Sequence, residues 1–429
     1  MIGSFELLDD FARSAGSARP LAAPRRPRVP PRNQIGSTLT SPGFNAGGNV
    51  FDRIKAYMES KDIAGSLRVN ASDGKLFDVY SRGDARRVIS AKKYPPAPLA
   101  WSEHTRFDVG SISKMVTTML LLQFMELGYV DLDDSIANEL PGFMNYQGYL
   151  AAGNSDVTYR HLLQHRTGWA NANKDVKSVM EVDEYVDFFT NSGNYGGAPF
   201  KTLANVGVGT YGNTNFSIQR ILIPLLTFKS AQVAPGSKEE FWAAFDDLPL
   251  DKRYVAYNWW VSFGFKKLSI YVGQPVGLGP LIAAGDPALD AAGYGPEYPE
   301  GLVLWDVSQK TGAYGMRYSS WELGELLSGL RTAKILNKST VALTLDPTTD
   351  EPLAGRLGWS YQKTTDLGDC FGHGGDGYGT TNVFMYMPDG VTLALLANRK
   401  GADDNWGSNE LFYDIVDLWL EATADGDTI

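Results

Sequence analysis

The sequence predicts an α/β protein in which helices flank one antiparallel β-sheet and a mostly helical lobe is inserted in the middle of the chain. Segments of strand composition occur near residues 65–83 and again near residues 355–399. A predicted helix precedes the first group, and another follows the second. The chain between the groups is helical and loop-rich. A sheet assembled from both ends of the chain, with its helices packed against it, explains this order.

The composition is that of a large, acidic enzyme. The 429 residues are 43% hydrophobic and 12% aromatic, which is enough for a large core in one unit or two lobes. The net charge of −10 argues against nucleic acid or an anionic membrane as the main partner. The one cysteine, Cys370, cannot form an internal disulfide, and the four histidines lack metal-ligand spacing. We therefore expect no metal and no cofactor.

The beginning of the chain predicts an arm rather than a targeting segment. Residues 1–47 form a Pro- and Arg-rich stretch that is extended or disordered on composition, and we expect it to lie along the body of the protein. Its twin arginine is not followed by an apolar segment, and nowhere is an apolar stretch long enough to span a bilayer. These features predict a cytoplasmic protein without a membrane partner.

The predicted elements divide the rest of the chain into two lobes. A helix near residues 50–60 leads to a hairpin that turns at Asp73-Gly74, and a long apolar helix follows. We assign these elements, residues 48–130, to a sheet lobe that residues 300–429 complete. The second part begins with a helix capped by Ser319 or Ser320 and ends with strands and a last helix. Residues 131–299 form the predicted helical insertion.

A serine and a lysine stand at the start of the long apolar segment. Residues 111–127 predict a helix because they contain good helix formers, and Gly128 supplies a C-terminal stop. Ser111 and Lys114 fall three residues apart in its first turn, so they share a face. A buried ammonium without a partner tends to lose its proton, and a neutral amine beside a hydroxyl is a base. Ser111 is therefore a candidate nucleophile at a helix N-terminus.

The same spacing has a simpler interpretation, in which Ser111 only caps the helix and Lys114 extends to solvent. Ser-x-x-Lys also occurs at residues 72–75, 90–93 and 360–363. The first lies at the hairpin turn, the second precedes a Pro-rich stretch, and the third falls in a predicted strand that points its side chains to opposite faces. Only Ser111 opens a predicted buried helix.

Two further motifs supply groups that the chemistry of Ser111 would need, namely a second proton carrier, a partner for the lysine and an oxyanion site. Tyr211 and Asn213 form the only Tyr-x-Asn of a chain with 21 tyrosines, just before a predicted helix. His373, Gly374 and Gly375 lie at the predicted start of a strand, where glycines let a substrate approach the backbone.

In this order the three motifs resemble those of the serine β-lactamase and penicillin-binding-protein superfamily, in particular its class C-like branch with the family VIII esterases and transacylases. The resemblance covers roughly residues 48–425 and includes the segments VTYRHLLQHRTGW and GAYGMRYSSWELGELL. It implies that the active site lies in a cleft between the two lobes.

The resemblance also implies a role for each motif residue. Ser111 attacks the acyl carbonyl, and neutral Lys114 takes its proton with the assistance of Tyr211. Asn213 holds Lys114 and the edge of the substrate. His373 orients Tyr211 or the substrate. A covalent acyl-enzyme on the serine is the implied intermediate.

The third motif carries both an expected oxyanion donor and a departure from the family. The backbone N–H groups of Ser111 and Asp376, the residue after Gly375, are expected to bind the oxyanion. His373 stands where β-lactamases have a lysine that binds a substrate carboxylate. A histidine is mostly uncharged at neutral pH and favours an ester or a neutral acyl donor. The segment HRTGW, in place of the common His-Thr-Ser-Gly, is a second departure.

Other patterns have weaker interpretations. Residues 372–377 spell G-x-G-x-x-G, but a predicted strand follows them, so a dinucleotide site is not expected. The chain lacks the G-x-S-x-G elbow of α/β-hydrolases. Trp259 and Trp260 fit a core better than an acyl pocket. His161 and His165 would share a helix face without a third metal ligand, so helix packing is the preferred interpretation.

The sequence thus predicts a serine enzyme that transfers an acyl group from a small-molecule ester or activated donor to water or to an amine or alcohol. A β-lactamase or D-amino-acid peptidase is one alternative, and a non-catalytic acyl-binding homologue is another. Residues 226–301, rich in Trp, Tyr and Gly, are expected to reshape the substrate pocket. The oligomeric state is left open.

Overall fold

The computed structural model describes residues 49–87, 98–140, 142–169, 182–190, 211–230, 291–295, 298–302, 312–345, 356–377, 379–398 and 407–426. The predicted arm, the Trp259-Trp260 pair and most of the segment 226–301 lie outside these residues.

The α-helices of the described residues follow one another in chain order, with short 3₁₀ turns at Gly110–Ile112, Ile136–Asn138 and Gly142–Met144. They are α1 (Asn49–Ser60), α2 (Ser113–Glu126), α3 (Tyr146–Ala151), α4 (Tyr159–Leu163), α5 (Val182–Thr190), α6 (Thr214–Ser217), α7 (Gln219–Ser230), α8 (Ser320–Arg331), α9 (Lys338–Leu345) and α10 (Ser408–Ala424).

The strands of the described residues fall into one large sheet and three two-stranded pairs. They are β1 (Gly65–Asn70), β2 (Leu76–Arg82), β3 (Asp84–Arg86), β4 (Leu99–Ala100), β5 (Phe107–Asp108), β6 (Gly293–Gly295), β7 (Tyr298–Leu302), β8 (Arg317–Tyr318), β9 (Tyr361–Thr365), β10 (Gly368–Gly377), β11 (Thr380–Tyr386) and β12 (Thr392–Ala397).

The large sheet is assembled from both ends of the chain. Its six strands run in the order β2-β1-β12-β11-β10-β9, and every neighbouring pair is antiparallel. The first strand, β1, pairs with the last, β12, from Gly65 opposite Ala397 to Asn70 opposite Thr392. This topology confirms the predicted antiparallel sheet, and it places the strands on both sides of the predicted insertion in one layer.

Helices cover both faces of the sheet, and a separate apolar cluster fills each interface. The smaller cluster joins the sheet to α1 and α10 and includes Phe51 and Phe412. The larger cluster surrounds α2, whose residues 113–124 are all buried. Successive side chains of a strand point to opposite faces, so Cys370 of β10 packs under α10 while Phe371 faces the α2 side. His373 lies two residues further along β10, on the α2 side.

Two boundaries in the second half of the chain differ from the prediction. The strand expected from residue 355 begins only at Tyr361. His373 is not at the start of a strand but in the interior of β10, which starts at Gly368. Glycine has a low strand propensity, so the Gly-rich motif obscured a strand that tertiary pairing with β11 stabilises. Ser319 caps α8 as predicted, by accepting from the Glu322 N–H at 3.2 Å.

None of the helices within the described ranges is both long enough and apolar enough to cross a lipid bilayer.

Candidate active site

A tight turn before α2 carries Ser111. The chain leaves β5 and enters the 3₁₀ turn Gly110–Ile112, in which Gly110 has φ +54° and donates its N–H to Asp108 Oδ1 at 2.9 Å. The α-helix proper begins at Ser113, two residues later than predicted, because the Ser113 hydroxyl donates to Gly110 O at 2.7 Å and closes the turn. Ser111 is therefore presented, half-buried, from a turn that is fixed on both sides.

Lys114 lies at the bottom of the site and touches two of the other motifs. Its side chain is fully buried, and Nζ lies 2.9 Å from Ser111 Oγ. The same atom lies 2.9 Å from Asn213 Oδ1 and 2.8 Å from the carbonyl oxygen of Ala313. The simpler interpretation, in which the lysine extends to solvent, is wrong. The first two motifs converge on one nitrogen atom.

The surroundings of Lys114 favour its neutral form. Burial lowers the pKa of Lys114 well below its usual value. A neutral amine has two N–H donors and one lone pair. Asn213 Oδ1 and the Ala313 carbonyl oxygen can only accept, so they take the two N–H groups. The lone pair is then left for the hydroxyl proton of Ser111, which is the arrangement of a general base with its nucleophile.

The other Ser-x-x-Lys segments do not share this geometry. Lys75 lies on the exposed hairpin and donates to Asp73 Oδ2 at 2.6 Å, and Lys363 of β9 pairs with Asp417. The segment 90–93 lies outside the described residues. Burial of the lysine, more than the spacing itself, distinguishes Ser111 from these patterns.

Tyr211 forms the open side of the site. Its side chain is 48% exposed, and its ring centroid lies 4.9 Å from Lys114 Nζ. The exposed fraction measures how much of the side chain solvent can reach. The protein atoms packed around the phenol determine how unfavourable a charge on its oxygen is. That burial raises the pKa of Tyr211, and a hydrogen bond with Ser111 opposes the rise only in part. Tyr211 is therefore a phenol at neutral pH, able to give a proton away.

The prediction that His161 and His165 share a helix face is wrong. Helix α4 ends at Leu163, and His165 adopts φ +55°, which turns the chain out of the helix. His161 instead accepts from the Thr158 N–H at 3.2 Å and caps α4. The ring of His165 packs against that of Tyr211, with 4.5 Å between the ring centroids. Within the described ranges, no three His, Cys, Asp or Glu side chains are arranged to hold a metal ion.

One edge of β10 runs past the turn that carries Ser111. The chain of β10 is so close to the turn that a Cβ added to Gly110 would lie 3.0 Å from the Cα of Gly375. Strand β9 pairs with β10 only over residues 368–372. From His373 onward, that edge of β10 has no strand partner among the described residues. An open strand edge beside Ser111 offers backbone groups to a bound substrate.

His373 is a buried, neutral imidazole. It is 2% exposed, and its Nδ1 donates to the carbonyl oxygen of Gly374 at 2.7 Å, which leaves Nε2 as the acceptor. Burial, with a contribution from the charge of Lys114, lowers the pKa of His373 to about 3. The third motif therefore brings no permanent positive charge to the site.

Comparison with known proteins identifies the family of this chain. The family model described as "Beta-lactamase" matches residues 50–222 and 277–415. The chain belongs to the β-lactamase family. The class C β-lactamase from Rhodobacter sphaeroides has the same fold, with a TM-score of 0.58 at 18% identity over 87% of this chain and 99% of that one.

Two curated proteins show how broad the family likeness is. The ML-236A carboxylate methylbutanoyltransferase of Penicillium citrinum is 30% identical over 143 residues, which is 30% of this chain and only 33% of that protein. The N-acetylmuramyl-L-alanine amidase of Bacillus subtilis is 21% identical over 371 residues, which is 80% of each chain.

In this β-lactamase-family protein, the Asp376 side chain points away from the cleft. Its carboxylate accepts from the Ser408 N–H at 2.9 Å and from the Ser408 hydroxyl, at the start of α10. The phenol oxygen of Tyr361 lies 2.8 Å from Ser408 Oγ. These contacts fix the end of β10 from behind. The predicted use of the Asp376 backbone N–H for an oxyanion stays a prediction.

Two groups of this family member were missed in the sequence. The Ala313 carbonyl holds Lys114, but a backbone oxygen leaves no side-chain pattern. His165 was assigned to helix packing because the periodic pattern continued past the true end of α4 at Leu163. The departure at HRTGW was the available signal, because it marked an irregular segment just after a short helix.

Proposed function

We propose that this protein is a serine acyl-transfer enzyme that forms a covalent acyl-enzyme on Ser111. The donor is an ester or another activated acyl compound, and the acceptor is water, an amine or an alcohol. The main support is the buried amine of Lys114, 2.9 Å from Ser111 Oγ, with its N–H groups held by Asn213 and Ala313. Membership of the β-lactamase family agrees with this chemistry.

In the first half-reaction, Ser111 Oγ forms a bond to the acyl carbon while its proton moves to Lys114 Nζ. The electron pair of the carbonyl π bond moves onto the oxygen, which the N–H groups of Ser111 and Asp376 bind. Collapse of this intermediate breaks the bond to the leaving group. The leaving alkoxide takes a proton from the Tyr211 hydroxyl, and Tyr211 takes one from the Nζ ammonium.

The second half-reaction uses the same groups in reverse. The acceptor O–H or N–H gives its proton to neutral Lys114 through the Tyr211 hydroxyl and attacks the acyl carbon. The acyl–oxygen bond to Ser111 then breaks, and Oγ regains its proton from Nζ. Because the raised pKa of Tyr211 keeps it a phenol, the proton passes through it rather than residing on it as a phenolate base.

The choice of donor follows from the third motif. A neutral imidazole at His373 provides no fixed charge for a substrate carboxylate, so an uncharged ester suits the site better than a penicillin. The partial likeness to a methylbutanoyltransferase supports an acceptor other than water as a second possibility. Product analysis with water and an amine in competition separates hydrolysis from transfer.

Covalent labelling tests the proposal directly. A fluorophosphonate or a p-nitrophenyl acyl ester should add one adduct to the wild-type chain, located on Ser111 by peptide mapping. Ser111→Ala should remain unlabelled, whereas Ser72→Ala, the serine of the hairpin Ser-x-x-Lys, should label as the wild type does. An adduct that persists in Ser111→Ala would place the nucleophile elsewhere.

Separate assays test each of the alternative functions. Efficient turnover of nitrocefin or of a D-Ala-D-Ala peptide would favour a β-lactamase or a D-amino-acid peptidase. A wild-type chain that binds an acyl compound but never acquires an adduct would be a non-catalytic homologue.

A further inference from the structure

His165 lies directly behind the Tyr211 loop, and the mechanism above does not use it. The residue is 7% exposed and has φ +55°, a left-handed conformation in which histidine is enriched relative to most residues. Its ring centroid lies 4.5 Å from that of Tyr211 and 5.0 Å from that of Phe216. The imidazole therefore forms one wall of the space that holds the phenol.

A single nitrogen atom of His165 receives two donors from the Tyr211 loop and the helix after it. Its Nδ1 lies 3.3 Å from the backbone N–H of Gly212, the residue between Tyr211 and Asn213. The same Nδ1 lies 3.1 Å from Nδ2 of Asn215. Since both groups can only donate, Nδ1 carries no proton and the ring proton is on Nε2.

The orientation of the Asn215 amide is fixed independently. The Trp169 N–H donates to Thr167 Oγ1 at 3.0 Å, and the Thr167 hydroxyl donates in turn to Asn215 Oδ1. With the amide oxygen thus occupied, Nδ2 must face His165. The HRTGW segment therefore holds the Tyr-x-Asn loop through two linked contacts.

The same environment keeps this acceptor available. Burial lowers the pKa of His165 well below its usual value, and a positive charge on Lys114 or His373 would lower it further. Protonation would remove the acceptor for Gly212 and place a buried charge beside Lys114. The ring is therefore a neutral acceptor over the pH range in which the lysine can act as a base.

We propose that His165 is a positioning residue, which holds Tyr211 and Asn213 in register with Ser111 and Lys114 through the Gly212 N–H and its ring contact with Tyr211. The inference rests on the proposed acyl-transfer function, because register matters only if the phenol and the amide act on the bound acyl group. His165 acts through the loop and not on the substrate.

The tautomer provides a test that does not depend on activity. The chain has only four histidines, so ¹⁵N NMR of the full-length protein with labelled histidine is tractable. We expect His165 as the neutral Nε2–H form between about pH 6 and pH 9, and His373 as the neutral Nδ1–H form. The signals that disappear in His165→Asn and in His104→Phe are assigned to His165 and His104. An Nδ1–H tautomer of His165, or its titration near about pH 6.5, would overturn the inference.

Two substitutions separate the acceptor from the ring. His165→Asn keeps an acceptor near the position of Nδ1 and tolerates positive φ, whereas His165→Phe keeps the ring and removes the acceptor. With a p-nitrophenyl ester, we expect kcat to fall on the order of tenfold to a hundredfold in His165→Phe, with KM within about threefold, and to stay within about fivefold in His165→Asn.

The control is His104→Phe, an exposed histidine away from the site, which should keep the wild-type kcat. Circular dichroism establishes that each variant is folded. Equal acylation rates for wild type and folded His165→Phe would overturn the positioning role while leaving the proposed function intact. A wild type that never acylates would overturn the proposed function, and the tautomer measurement would still report on the contact with Gly212.

Discussion

A Cβ atom added to Gly375 would lie 2.0 Å from the carbonyl oxygen of Val109. Val109 immediately precedes the turn that carries Ser111, so strand β10 and the nucleophile turn are in backbone contact. Any side chain at this position must push the strand edge away from the serine, because a backbone carbonyl cannot rotate aside as a flexible side chain can.

We therefore predict that Gly375→Ala lowers the rate of Ser111 acylation by at least about tenfold. The matched control is Gly372→Ala on the opposite face of the same strand, where the new Cβ would meet the Phe412 ring at 2.6 Å. That variant should lower the melting temperature without slowing acylation of the folded protein. Equal acylation rates in the two variants would show that the close approach to Val109 has no role in the site.

Replacement of the two proton carriers should have a larger effect. Lys114→Met and Tyr211→Phe are each expected to reduce kcat on the order of a hundredfold or more, because a positioned acid or base typically contributes that much. The control is Lys75→Met, which replaces the exposed lysine of the hairpin and should keep the wild-type rate. Steady-state kinetics across pH provides the measurement. Near-wild-type activity with an unchanged pH profile would remove the substituted residue from the mechanism.

Stability should rise with pH because of Lys114. Its folded-state pKa is depressed below 10.5, so the unfolded chain binds one more proton between that lowered pKa and pH 10.5. The free energy of unfolding therefore increases with pH over this window, by at most about 1.4 kcal/mol per pH unit for one proton. Lys114→Met should flatten the increase. Urea unfolding of the wild type and of Lys114→Met at about pH 7 and about pH 9.5 measures the free energy of unfolding. An equal increase with pH in both proteins would contradict a neutral buried lysine.

The substrate preference should depend on His373. We expect the wild-type protein to have a higher kcat/KM for a neutral ester than for a matched ester that carries a free carboxylate, because the imidazole is uncharged. His373→Lys should narrow or reverse the difference, and His104→Lys should not change it. Preference of the wild type for the carboxylated partner, or efficient hydrolysis of benzylpenicillin, would favour the β-lactamase alternative.

The sheet and the buried helix after Ser111 were the most predictable parts of this molecule. Residues 65–70 and 392–397 have strand composition, and the long apolar segment after Ser111 could only be a buried helix, so local pattern and tertiary structure agree there. The contact between Lys114 and Ser111 could be predicted, because residues three positions apart in a helix lie on the same face. Its contact with Asn213, 99 positions away, followed only from the resemblance.

The parts that could not be predicted depend on tertiary contacts. The interior position of His373 in β10 is stabilised by pairing with β11, against the low strand propensity of its glycine neighbours. The pattern of apolar residues alone would continue α4 to His165. The left-handed backbone of His165 turns the chain out of the helix instead. The lysine contact with the Ala313 carbonyl involves a backbone group, which no sequence pattern specifies.

The pairing of β1 with β12 has a consequence for the order in which the protein can assemble. A ribosome delivers the apolar helix α2 well before the strand edge that faces Ser111 and the helix α10 behind it. Until then the apolar side chains of α2 lack the sheet residues, such as Phe371 and Phe384, that share their cluster in the folded protein. Ser111 is thus synthesised well before the strand edge that lies beside it in the folded protein.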